Sequence, residues 1–165
     1  MRDAESFDDL YRATSRRLMH YAYALTGDLG EAQDLVQEVY IRAWQRWSRL
    51  RQYDAVEAWL RHVLSRLAID RWRRLRNFRA ALGRTGPPSH VPPPGDDGML
   101  LVWALRRLPP PQRRALALHY LFDLPVEEIA SETGAPTGTV KSWLSRGRAA
   151  LAVTLGESAE AEDVH

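Results

Sequence analysis

Residues 79–98, RAALGRTGPPSHVPPPGDDG, hold five prolines and four glycines in twenty positions. Proline removes a backbone donor and clashes inside a helix. Glycine loses the most entropy when ordered. Neither a helix interior nor a central strand is expected there. This one segment divides the chain. The pattern on both sides is helical, with no sustained alternation and no hairpin turn between alternating runs. The expectation is an all-α protein: two small helical modules joined by a Pro/Gly-rich linker. Pro92-Pro93-Pro94 stiffens that linker, which reaches roughly 65–70 Å when fully extended. The boundaries so read are 1–78, 79–98 and 99–155, followed by an acidic tail, 156–165, expected to be disordered.

Apolar spacing places the helices. The first covers about 6–25, with Phe7, Leu10, Tyr11, Leu18, Tyr21, Ala22 and Leu25 on one face. Thr26-Gly27-Asp28 breaks it. The second runs from about Leu29 to Trp47 on Ala32, Leu35, Val36, Val39, Ala43 and Trp47. The third starts near Asp54 as N-cap and carries Val56, Leu60, Val63, Leu64, Leu67 and Leu75. Beyond the linker, helices are expected over about 99–108, 111–121, 126–133 and 136–154, with a turn at Phe122–Pro125.

The 165 residues include no cysteine, which excludes disulfide scaffolds, thiol catalysis and cysteine-ligated zinc. His20, His62, His90, His119 and His165 are scattered without metal-ligand spacing, and no nucleophile motif stands out. No catalytic residue, metal or cofactor is expected. No apolar run approaches the ~20 residues that span a bilayer. The start of the chain is too charged for a signal peptide, so a cytoplasmic protein with no membrane partner is expected.

The formal net charge of +2 conceals a polarised chain. Residues 1–40 carry −4, 41–84 carry +9, 85–105 carry −2, 106–151 carry +3 and 152–165 carry −4. Lys141 is the only lysine, so almost every base is an arginine. The +9 block has the character of a polyanion footprint. Seven arginines fall between Arg61 and Arg79, with Asp70 the only acid. On a wheel of 100° per residue with Leu60 at zero, the apolar stripe of the third helix spans about −60° to +60°. Arg61, Arg66, Arg73, Arg76 and Arg79 fall on the opposite side, together with Ile69 and Trp72. Arginines interleaved with an aromatic suit phosphate contact plus base stacking. On the second helix, Glu31, Asp34, Gln37, Glu38, Arg42 and Gln45 lie opposite the apolar stripe. That face suits a protein partner, or serves only as i,i+4 helix support.

In the second module, VEEIASETGAPTGTVKSWLSRGRAAL has the spacing of a DNA-binding helix-turn-helix. Ala130 is small where helices cross, Gly134 sits where the turn needs positive φ, and Val140 is placed to pack back on the first helix. Thr137, Thr139, Lys141, Ser142, Ser145, Arg146 and Arg148 give the second helix a polar, basic surface for base edges and phosphates. The spacing with a polar, basic second helix favours that reading over an ordinary helical hairpin, and a stand-alone helix-turn-helix transcriptional regulator is the alternative function.

Taken in order, these elements resemble an extracytoplasmic-function (ECF) RNA polymerase sigma factor of the sigma-70 family. DLGEAQDLVQEVYIRAWQRW is similar to the polymerase-binding helix, EAWLRHVLSRLAIDRWRR to the segment that reads and melts the −10 element, and LPPPQRRALALHYLFDLPVEEIASETGAPTGTVKSWLSRGRAAL to region four, which reads the −35 element. Trp143 is similar to the actinobacterial SigE-like branch, and the arginine-for-lysine usage fits a GC-rich genome. The resemblance implies a role in promoter-directed transcription initiation. It implies core RNA polymerase, through the β′ clamp helices and β flap, and promoter DNA as partners. Family members are usually held by an anti-sigma factor, which adds a third candidate. It also implies residue roles. Asp34, Gln37, Glu38 and Arg42 would dock on the clamp helices, and Trp47 matches an aromatic ending that helix. Arg49, Arg51, Gln52 and Tyr53 would capture a flipped −10 base. Arg61, Arg66, Trp72, Arg73, Arg74 and Arg76 would hold the surrounding DNA. Thr137, Thr139, Lys141, Ser142, Ser145, Arg146 and Arg148 would engage the −35 element. Arg66 and Trp143 stand where the family often has Asn and Arg, so no promoter sequence follows.

Overall fold

The computed structural model describes residues 2–83 and 97–163. All regular structure among them is helical, in two compact units that divide between residues 87 and 88. Residues 84–96, most of the expected linker, lie outside the described residues.

The first unit contains α1 (Arg2–Thr26), α2 (Leu29–Gln45), α3 (Trp47–Leu50) and α4 (Val56–Leu82). The break between α1 and α2 has local causes. Gly27 takes φ 71°, and its N–H bonds the Tyr23 carbonyl at 2.8 Å. Asp28 then caps α2, its carboxylate accepting from the Glu31 N–H at 2.9 Å. Such a cap is worth about 1 kcal/mol. Leu18, Tyr21 and Ala22 of α1, Leu35, Val39 and Ala43 of α2, and Leu60 and Leu64 of α4 form the core. Each buried leucine contributes roughly 1.5–3 kcal/mol. Two buried polar bridges fix α1 against its neighbours. The Thr14 hydroxyl donates to the Leu10 carbonyl (2.8 Å), so the Tyr40 hydroxyl must donate to Thr14 Oγ1 (2.6 Å). Tyr21 and Ser65 share a hydroxyl–hydroxyl bond of 3.0 Å between α1 and α4.

Four expectations need correction here. The buried line of α4 is Leu60, Arg61, Leu64, Ser65 and Ala68. It is centred about 70° from the stripe read by hydropathy. The Tyr21–Ser65 bond and the small Ala68 select that face, and Val63 and Leu67 are only half-buried. Arg61 therefore belongs to the protein interior rather than to an outward basic face. Ala55, not Asp54, immediately precedes α4, its carbonyl accepting from the Trp59 N–H. The second helix ends at Gln45, and Trp47, expected at its end, instead opens the short α3. Finally, α4 continues four residues into the expected linker, because Ala80, Ala81 and Leu82 favour helix. Gly83, at φ 69°, is the positive-φ residue that follows.

The second unit contains α5 (Asp97–Leu105), α6 (Pro110–Phe122), α7 (Val126–Thr133) and α8 (Thr137–Asp163). Pro110 and Pro111 occupy the first positions of α6, where a missing N–H costs nothing. Asp123, at φ 55°, ends it. Gly134 takes φ 74° and returns its N–H to the Ala130 carbonyl at 2.9 Å, as the motif required. Val102, Leu105, Leu116, Leu118, Ile129, Val140 and Leu144 are buried together. At Gly147 the helices α6 and α8 nearly touch: a Cβ there would lie 2.5 Å from Leu116 Cδ1. α8 runs on to Asp163, into the acidic segment that was expected to be a tail. Its Ala and Glu residues are strong helix formers and outweigh the ~1 kcal/mol cost of Gly156.

Candidate protein and nucleic-acid interfaces

On α2, Asp34, Gln37 and Arg42 are exposed and Glu38 is half-exposed. Arg42 Nη2 donates to Glu38 Oε1 at 2.9 Å, an i,i+4 pair on the surface. Such a pair holds the side chains loosely, contributing about 0.3–0.5 kcal/mol, and leaves them free to re-pair. Beside this polar face lies a groove of about 820 Å³ between α1 and α2, lined by Tyr11, Met19, Gln37, Tyr40, Ile41 and Trp44 among others. Tyr11, Ile41 and Trp44 are each about half exposed (48–51%). Sequence reasoning assigned Tyr11 to the core and passed over Ile41 and Trp44. Their i,i+3 spacing off the apolar stripe was the available signal. A polar face bordering an aromatic groove has the make-up of a protein interface: apolar centre, charged rim.

The segment after α2 forms a second concavity, about 410 Å³, lined by Gln45, Arg46, Ser48, Arg49, Leu50, Tyr53 and Trp59. It brings together Arg49 and Tyr53, two of the four residues expected to act as a group. Arg51 instead pairs with Asp3 of α1, and Gln52 is exposed without lining the cavity. Arg46 and Trp59 join from positions that the sequence did not single out. Two cations and two aromatic rings around a cavity suit a planar anion-bearing group such as a nucleotide. Trp47 does not line the cavity. It is buried against Phe7, ring centroids 5.4 Å apart.

Along α4, Arg66, Trp72, Arg73, Arg74 and Arg76 are exposed, and the Arg76 guanidinium sits 5.2 Å from the Trp72 ring. Ile69 (40% exposed) extends this mixed surface; Phe78 (62% exposed) lies on the other side of the helix and was missed because it falls on the wheel position of the core stripe. Arg61 does not belong to it. It is 6% exposed, and its Nη1 lies 3.9 Å from Glu57 Oε1.

On α8, Thr137, Lys141, Ser145, Arg146 and Arg148 are exposed, while Thr139 and Ser142 are half-buried. Arg148 Nε donates to the Tyr120 hydroxyl at 3.0 Å. Near the start of α6, burial, and to a lesser extent the neighbouring Arg106, push the Arg113 guanidinium below its ordinary value. Among the described residues no group of three or more His, Asp and Glu is placed to hold a metal ion, and no helix is long and apolar enough to cross a membrane.

Comparison with known proteins agrees with this geometry. Residues 10–78 match sigma-70 region 2, and residues 99–151 match sigma-70 region 4. The ECF RNA polymerase sigma factor SigL of Mycobacterium tuberculosis is 34% identical over 155 residues, covering 90% of this chain and 88% of SigL. SigJ of the same organism is 33% identical, covering 86% of this chain; the match spans about half (48%) of SigJ. Among solved structures, the sigma factor RpoE in complex with the anti-sigma factor NepR from Bartonella quintana aligns with a TM-score of 0.74 at 26% identity, over 91% of this chain and 96% of RpoE. Two helical units with these surfaces, matching region 2 and then region 4, place the chain in a defined family: it belongs to the extracytoplasmic-function sigma factors of the sigma-70 family.

Proposed function

We propose that this chain binds core RNA polymerase and gives it promoter specificity, acting in the cytoplasm as an initiation factor with no catalytic site of its own. The presence of region 2 and region 4 in that order in one chain carries this reading. A stand-alone helix-turn-helix regulator would account for α7 and α8 but not for the region 2 match.

The residue roles are those the family resemblance implies, and the exposure of most of these residues supports them. Asp34, Gln37, Glu38 and Arg42, with the adjacent α1–α2 groove, dock on the β′ clamp helices, and the second unit meets the β flap. The cavity around Arg49 and Tyr53 receives a base extruded from the −10 element, with Arg51 and Gln52 near it in sequence. Extrusion costs a few kcal/mol, and stacking on an aromatic ring returns about 1–3 kcal/mol per base. Trp59 and Tyr53 supply the rings, while Arg66, Trp72, Arg73, Arg74 and Arg76 hold the flanking strand. Thr137, Thr139, Lys141, Ser142, Ser145, Arg146 and Arg148 engage the −35 element. By analogy with RpoE, an anti-sigma factor is a third candidate partner. For domain limits, we take region 2 to end with α4, region 4 to begin with α5, and the connection to lie between them.

The test is charge reversal on α2. Asp34→Arg with Glu38→Arg abolishes co-purification with core polymerase while leaving helicity by circular dichroism unchanged. Full retention of the doubly reversed protein on core polymerase overturns the docking assignment.

A further inference from the structure

Tyr120 belongs to none of the surfaces above, yet it is 44% exposed and stands at the last turn of α6. Its position is fixed from below. The neighbouring His119 ring packs on it edge-on, centroids 5.1 Å apart. His119 Nδ1 in turn lies 3.0 Å from the Leu124 carbonyl, which ties the helix end to the turn that follows. From α8, Arg148 reaches this ring. Its Nε donates to the Tyr120 hydroxyl at 3.0 Å, and its guanidinium carbon lies 5.9 Å from the ring centroid. No carboxylate pairs with Arg148 among the described residues.

That geometry has a chemical consequence. A guanidinium carries five donors in a flat fork, and it can grip a phosphate bidentately through both Nη groups or through Nε with one Nη. Tyr120 occupies Nε alone. It therefore holds the long side chain in one orientation and leaves the edge formed by the two Nη groups open. An unanchored arginine would lose its rotamer freedom on binding, and an anchored one has lost most of it already. We propose that Tyr120 is a positioning residue for DNA binding, presetting Arg148 to grip one backbone phosphate beside the recognition helix. This inference rests on the reading that α8 engages duplex DNA.

The test uses the full chain and a fluorescein-labelled 30-base-pair duplex of arbitrary sequence, because a phosphate contact is independent of sequence. Affinity is measured by anisotropy across a salt series for wild type, Tyr120→Phe, Arg148→Ala and the double variant. Arg148→Ala lowers the salt slope by about 0.9, the signature of one lost phosphate contact. Tyr120→Phe keeps every charge, so it weakens binding by roughly three- to tenfold without changing the slope. The double variant matches Arg148→Ala, since Tyr120 acts only through that arginine. A purely structural role for Tyr120 predicts equal losses in both backgrounds, and that result overturns the proposal. So does a Tyr120→Phe protein that binds like wild type while Arg148→Ala weakens binding. An Arg148→Ala protein with wild-type affinity and slope overturns the proposal together with the reading that this edge of α8 meets DNA.

Discussion

Gly147 sits between Arg146 and Arg148, and its hydrogen faces Leu116 of α6. A methyl group placed there would lie 2.5 Å from Leu116 Cδ1 and 3.2 Å from Cγ. Leu116 is fully buried, so its side chain has nowhere to swing. Two effects oppose each other in Gly147→Ala. Alanine is better than glycine inside a helix by about 1 kcal/mol. Overpacking a closed core costs about 1–3 kcal/mol. The substitution should therefore be neutral to destabilising by about 2 kcal/mol, where helix propensity alone would make it stabilising. The sharper expectation is the coupling. Leu116→Val removes the offending Cδ1 at a cost of about 1 kcal/mol. In that background Gly147→Ala should stabilise, by up to about 1 kcal/mol. Backbone hydrogen exchange in α6 and α8 of the full chain reads this unit separately from the other. Effects that add within ~0.5 kcal/mol in the two backgrounds would refute the close-approach argument.

Three further outcomes are expected. Burial pushes the Tyr40 phenol up to about 12. A folded value above the ordinary 10 means the stabilisation is complete below pH 10 and lost as pH rises through 10 to 12. Between pH 9 and 11, wild type should lose about 1 kcal/mol more unfolding free energy than Tyr40→Phe, and parallel curves would contradict this. Arg61→Ala should behave as a stability variant, losing about 1–3 kcal/mol with the salt slope of DNA binding unchanged; a slope reduced by a full phosphate contact would restore Arg61 to the DNA surface. Lys141→Ala and Arg146→Ala should each weaken binding to a −35-containing promoter by about 1–3 kcal/mol, and equal losses on a −35-scrambled fragment would reduce both to phosphate contacts.

What was legible in the sequence had local causes. Gly27 with Asp28, and Gly134 four residues after Ala130, mark turns whose dihedral demands are written in the residue types. Both turns stand where they were expected. The exposure of Asp34, Gln37 and Arg42 likewise follows from the α2 period alone. The roll of α4 was not legible, because hydropathy counts Val63 and Leu67 while the packed face is chosen by Ser65 meeting Tyr21 from another helix. An arginine beside that line is buried as a passenger, and nothing near Arg61 in sequence announces it. The α1–α2 groove was hidden for a related reason. Tyr11 carries the right period for a core position, but its burial depends on whether α2 closes over it. The cavity around Arg49 needed Trp59, brought in by the start of α4.

The central claim is that this chain converts core polymerase into a promoter-selective enzyme. The direct measurement is transcription in vitro from fragmented genomic DNA by purified core polymerase, with and without the chain, followed by sequencing of the transcript 5′ ends. The account predicts a small set of start sites that appear only with the chain and share sequence elements upstream at −10 and −35. They should disappear when Asp34 and Glu38 are both reversed to arginine. Start sites that are the same with and without the chain would contradict it.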